Sequence, residues 1–204
     1  MPAEPENFVL TEELPNNPEP QQPQEETKLH SVVTDLTGQE PRQRENEQFK
    51  AQNFRITDEH LGEGSAKTKF GYNIAAIQTL KQIEAEGRQA RPDEQEILSR
   101  YVGWGGIPQA FDEENTQWSE EYRQLKELLT EKEYDAARSS TLNAHYTSPT
   151  VIRAMYDVIE KMGFRTGNVL EPSCGVGNFF GMLPDDMSGS RLYGVELDSI
   201  TGRI

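Results

Sequence analysis

Over the first fifty residues apolar side chains are sparse and follow no period; from Phe70 onward they fall into register. Within residues 70–86, Ile74, Ile77, Leu80 and Ile83 recur at three-residue spacing. That is one stripe of an amphipathic helix, and Gly87 ends it. Pro92 followed by Asp93 and Glu94 predicts the next helix start, with proline at the first position and acids near the positive end of the dipole. This helix carries Ile97, Leu98 and Tyr101 and runs into "VGWGG", residues 102–106. A third apolar pattern (Tyr122, Leu125, Leu129) covers 118–129. Thr130 and Glu133 then form a T-x-x-E capping box that opens a short helix through Ala137. Residues 70–138 therefore read as a helical array, without strands and without an internal repeat. The preceding stretch 53–69 is polar, with Gly62 and Gly64, and reads as an ordered loop or docking segment.

The period changes at Ser139. After a loop, Ser148 and Pro149 predict an N-cap and a first helical position. Ile152, Met155, Ile159 and Met162 follow as one apolar face, with Gly163 as the stop. A short strand over 168–171, a glycine turn, a short helix over 178–183 and a second strand over 191–198 complete the chain. Helix, strand, turn, helix, strand is how an open α/β sheet begins.

Three glycines surround Trp104, which leaves two readings. The loop approaches a ligand, or it is a tight turn whose tryptophan packs in the core, the usual place for that side chain.

Composition separates the tail from the rest. The hydrophobic share is 34% and the net charge −15, and the deficit concentrates in residues 1–50. That stretch holds 7 of the 12 prolines and 11 acidic residues against 4 basic ones, about half of the net charge. Such a segment buries too little apolar surface to offset the entropy of ordering it, so residues 1–52 are expected to be a disordered acidic tail. A helical module over 53–140 and an α/β part over 141–204 follow. No run of eighteen apolar residues and no signal-peptide pattern is present. A single cysteine excludes an internal disulfide, and three scattered histidines assemble no zinc site. The expectation is a cytoplasmic, reduced protein with neither membrane nor metal among its partners. Its acidic balance argues against general adhesion to nucleic acid, while leaving room for a local basic groove.

The candidate chemistry lies in "VLEPSCGVGNFFG", residues 169–181. Gly175 and Gly177 let backbone approach a ligand closely. The third glycine of a G-x-G-x-x-G dinucleotide turn arrives one residue late, at Gly181. Glu171, at the carboxyl end of the first strand, would repel a pyrophosphate but suits a ligand bearing an ammonium and a sulfonium, as S-adenosylmethionine does. Glu196 follows Gly175 by 21 residues on the next strand. A carboxylate there accepts hydrogen bonds from both ribose hydroxyls. The bland alternative is that both acids merely end strands in solvent. Cys174 reads as a small packed residue rather than a nucleophile, since no base lies near it in sequence.

"LNAHYTSPTVIRAMYDVI", "VLEPSCGVGNFFG" and "LYGVELD" together resemble the gamma-order adenine-specific DNA methyltransferases. The resemblance implies a Rossmann-like, S-adenosylmethionine-dependent methyltransferase sheet, of which residues 141–204 are the start. It implies that Tyr146, Thr147 and Pro149 come to the methionine end of the cofactor. Glu171, Pro172, Cys174, Gly175, Gly177, Asn178 and Phe179 are implied in the turn, with Glu196 at the ribose. "FRITDEHLGEG", "RYVGWGG" and "TLNAHYTSP" further resemble the start of the methylase module in large helicase–methylase proteins of mobile elements. Implied partners are double-stranded DNA and downstream methylase and helicase domains. The family's Asn/Asp-Pro-Pro-aromatic motif, which receives the flipped adenine, has no match; the one Asn-Pro pair is Asn17–Pro18, in the tail. The expectation is a cofactor half-site, catalytically incomplete and of low stability by itself. Three other readings stay open: an RNA or protein-amide acceptor, a nicotinamide dehydrogenase, and a non-catalytic docking module carrying a relic fold.

Overall fold

The computed structural model describes residues 53–204, so the acidic tail expected over 1–52, with Asn17–Pro18, lies outside the described residues. The described chain is mixed α/β. Helices α1 (Ala66–Glu86), α2 (Pro92–Ser99), α3 (Ser119–Leu128) and α4 (Glu131–Ser140) come first, with 3-10 turns at Pro108–Phe111 and Thr116–Trp118. Helix α5 (Pro149–Lys161), strand β1 (Asn168–Glu171), a single-turn helix α6 (Asn178–Gly181) and strand β2 (Arg191–Gly194) follow. β1 and β2 pair in parallel, with Val169 opposite Leu192 and Glu171 opposite Gly194.

The predicted stripe of α1 is buried throughout: Ile74, Ile77, Leu80 and Ile83 pack with Leu98, Trp104, Phe111, Trp118 and Leu125 in the larger core. The helix starts four residues earlier than its apolar period. The Ser65 hydroxyl accepts the Thr68 N–H at 3.2 Å, and this polar cap carries no hydrophobic signal. Gly87 closes the helix at φ +60°, the left-handed conformation a C-terminal glycine supplies. The capping box of α4 forms in both directions: Glu133 accepts the Thr130 N–H at 3.0 Å, and the Thr130 hydroxyl accepts the Glu133 N–H at 3.3 Å. Ser148 makes no side-chain cap bond; Pro149 alone sets the start of α5.

α5 buries half of the face its period predicts: Ile152 and Ile159 pack inward as expected, but Tyr156, not Met155 or Met162, completes that face. Ile152 and Tyr156 are buried and Ile159 packs beside them, against Leu183, Met187 and Leu192. Met155 and Met162 are exposed, in a second stripe with Val151 and Val158. Both stripes satisfy helical spacing; Tyr156 wins because its hydroxyl also donates to the Phe179 carbonyl at 2.7 Å, tying α5 to α6.

β2 is shorter than the predicted 191–198. Pairing continues one residue past it, with Val195 donating to Glu171 O at 2.9 Å and Cys174 donating to Val195 O at 3.0 Å. The chain then bends, and Asp198 caps a 3-10 turn at Thr201–Arg203 by accepting the Thr201 N–H at 2.7 Å. That turn brings the end of the α/β part back onto the helices. Ile200 enters the larger core, and Arg203 bonds Glu84 of α1 and Glu133 of α4. The 53–57 segment docks as well: Ile56 donates to Gly181 O at 2.9 Å. Among the described residues no helix is long and apolar enough to cross a membrane, and no cluster of His, Cys, Asp and Glu is placed to hold a metal ion.

Candidate functional site

The helical part contributes the first wall. Trp104 is 1% exposed and meets Phe111 and Phe70 edge-on, at centroid distances of 5.3 and 6.2 Å. The tryptophan of VGWGG is thus a core residue, while Gly103 and Gly105 face the loop before α5. Gly105 donates to Ala144 O at 3.1 Å. A Cβ on Gly103 (φ +66°) would stand 2.6 Å from Tyr146 Cε2, and one on Gly175 (φ +57°) would stand 2.9 Å from Tyr146 Cε1. The Tyr146 ring therefore lies between two left-handed glycines, one from each part of the chain. Neither position tolerates a side chain with this ring in place.

The second wall comes from the strand ends. Glu171 closes β1. Beyond β2, one oxygen of the Glu196 carboxylate accepts the Gly175 N–H at 2.9 Å and the other accepts the Asp198 N–H at 2.9 Å. Glu196 is thus the brace that joins the glycine turn to the second strand's exit. Each of its oxygens still has a free lone pair to offer a ligand.

Between these walls lies a cleft of about 540 Å³, within the size range of small-molecule sites. Of the residues singled out from sequence, Tyr146, Thr147, Glu171, Cys174, Gly175, Asn178, Phe179 and Glu196 line it. Pro149 is buried at the first turn of α5, Pro172 is exposed beside the turn, and Gly177 faces a smaller cavity on the turn's far side. Sequence reasoning missed Tyr101, Gly103, Asn143, Asp198 and Thr201, all of which line the cleft. RYVGWGG held the signal for the first two; nothing local marks Asn143.

The electrostatics favour a cationic, hydroxyl-bearing ligand. Burial pushes the Glu171 carboxyl above its ordinary value. Burial, then Glu196 and Glu171, push the Cys174 thiol up as well, which keeps it protonated near neutral pH and slows, without preventing, its alkylation. Tyr101 and Tyr146 are raised mainly by burial and further by the nearby acids Glu196 and Asp198, so both phenols remain neutral donors. The Oδ1 atom of Asn178 is buried with no hydrogen-bond partner among the described residues. An orphan acceptor in a cleft wall is costly unless a donor arrives. With three carboxylates (Glu171, Glu196 and Asp198) and, beside His145, no lysine or arginine in the lining, the site suits an ammonium or sulfonium and disfavours phosphate.

No protein-family model, curated protein or solved structure matches this chain.

Proposed function

We propose that the cleft binds S-adenosylmethionine, and that the chain is the cofactor-binding part of an adenine-N6 DNA methyltransferase within a larger helicase–methylase protein. The observation that carries this reading is that Glu171 ends β1 while Glu196, two residues beyond β2, accepts the Gly175 N–H, so that two carboxylates stand at the exits of adjacent parallel strands beside the glycine turn. One acid beside such a turn is common; two, with an unpartnered Asn178 oxygen in the same cleft, fit a ligand with one cationic end and one diol.

The residues present fit that group. Glu196 offers its free lone pairs to the ribose hydroxyls while holding the turn. Glu171 and Asn178 supply acceptors for the ammonium and for the positive charge at sulfur. Tyr146 and Thr147 line the methionine side, and Phe179 gives apolar surface. S-adenosylmethionine, when bound, supplies a methyl group activated by the sulfonium. DNA as the acceptor follows from the resemblance of the HYTSP and glycine motifs. The surrounding fold supports a larger methyltransferase sheet: Leu170 and Tyr193, opposite each other on the two strands, and Val195 just beyond β2 are exposed apolar side chains, surface that further polypeptide normally covers. The adenine-receiving motif does not occur in the chain, so this part binds the donor without transferring its methyl group.

Equilibrium dialysis with labelled S-adenosylmethionine tests the reading. Retention that S-adenosylhomocysteine displaces and NADH does not is the expected result. Displacement by NADH alone would return the site to the dinucleotide class.

A further inference from the structure

Asn73 lies in the middle of α1, is fully buried, and belongs to the helical part. A buried amide in an apolar helix face is costly unless both its ends are satisfied. Here both are, by one short stretch of chain: Nδ2 donates to Gly103 O at 2.6 Å and Oδ1 accepts the Val102 N–H at 2.9 Å. This two-point clamp fixes the 102–103 backbone and with it the left-handed conformation of Gly103. Gly103 in turn touches one edge of the Tyr146 ring, and Gly175 of the ligand turn touches the other.

We propose that Asn73 is a positioning residue for the glycine turn, acting through Gly103 and Tyr146. The chain of contact is contiguous: helix amide, loop backbone, aromatic ring, turn backbone. Each link is specific. Nδ2 and Oδ1 hold donor and acceptor at once, which an aliphatic or a carboxylate side chain cannot do. The Tyr146 ring fits only because both flanking residues lack a Cβ. The helical part therefore sets the shape of the ligand turn, and the cleft is not a property of the α/β part alone. The functional meaning of this link rests on the reading of the cleft as the ligand site; the link itself does not.

Cys174, the chain's one cysteine, sits in the turn beside Gly175 and gives a probe that needs no ligand. The test is the rate at which iodoacetamide alkylates Cys174 in the full chain. Asn73→Ala is expected to raise that rate about tenfold, in the range of coupling between residues in contact. Ile77→Val, a core change in the same helix, measures the effect of lost stability alone and is expected to leave the rate within about twofold. Tyr146→Leu is expected to raise the rate as Asn73→Ala does, and the double variant no further, because both act through one ring. An Asn73→Ala rate no higher than that of Ile77→Val, or additive effects in the double variant, would overturn the proposal. Should Asn73→Ala fail to fold, Tyr146→Leu decides by itself: a raised rate supports the link, and a wild-type rate overturns it. S-adenosylmethionine binding by wild type is a separate arm, so loss of the cofactor reading leaves this result legible.

Discussion

The Glu196 carboxylate accepts the Gly175 N–H at 2.9 Å, bridging 21 residues and joining the two strand ends through one side chain. The same group holds the Asp198 N–H, so a residue singled out as a ligand acceptor is also the site's internal brace. Replacing it with glutamine puts an amide NH2 where one of two acceptors stood. Glu196→Gln is expected to lower stability by about 1 kcal/mol, read as a shift of the urea midpoint, and to weaken cofactor binding more than tenfold.

Gly175 adopts φ +57°, with the Tyr146 ring where a side chain would go. Gly175→Ala is therefore expected to cost about 1–3 kcal/mol and to abolish binding. Gly87 has a similar φ, +60°, but open space around it. Gly87→Ala is expected to cost about 1 kcal/mol and to leave binding intact. Thermal unfolding and a binding isotherm on the two variants separate strain from contact.

Arg203 bonds Glu84 and Glu133 with side chains partly exposed, so solvent screens the pairs. Arg203→Ala is expected to lower stability by about 1 kcal/mol, less in high salt.

Acid pH reads the carboxylates that the fold holds ionised. Arg88 hydrogen bonds, outweighing burial and aided by the Arg91 N–H, hold Glu94 at about 2. Burial opposes ionisation of Glu133, but the Thr130 N–H, Lys81 and Arg203 outweigh it and leave that group also at about 2. Both values lie below the ordinary 4.5. The stability they contribute is therefore full above about 4.5 and is lost as pH falls toward 2. A thermal midpoint that falls across that window, with a smaller fall in Glu94→Gln, is the expected outcome.

Glu171 shifts the opposite way. Burial raises its value, so its charged form is a cost to the folded chain that protonation relieves. A bound cation needs the charged form. Cofactor affinity is expected to drop with falling pH before the ordinary carboxylate range is reached, and Glu171→Gln to be weak but flat with pH.

Much of this arrangement was legible in the sequence where a repeating physical demand leaves a repeating pattern. The α1 stripe, the Thr130–Glu133 box and the β1 turn are of that kind. Elements set by a few polar contacts were not: the Ser65 start of α1, and the bend after Val195 that cuts the second strand short. On α5 the period marks Ile152 and Ile159 but does not say that Tyr156 rather than Met155 and Met162 completes the buried face, which the Tyr156 hydroxyl bond to Phe179 decides. At Trp104 the core reading holds, since the indole is buried, and Gly103 of the same loop lines the cleft. The contributions of Asn143 and Thr201 depend on long-range packing, which no local pattern records.

The most direct test of the central claim is titration calorimetry with S-adenosylmethionine on the wild-type chain and on Glu196→Ala. Saturable heat at one site per chain, lost or weakened more than tenfold in the variant, is the predicted result. Absence of heat in wild type, or heat unchanged in Glu196→Ala, would contradict it.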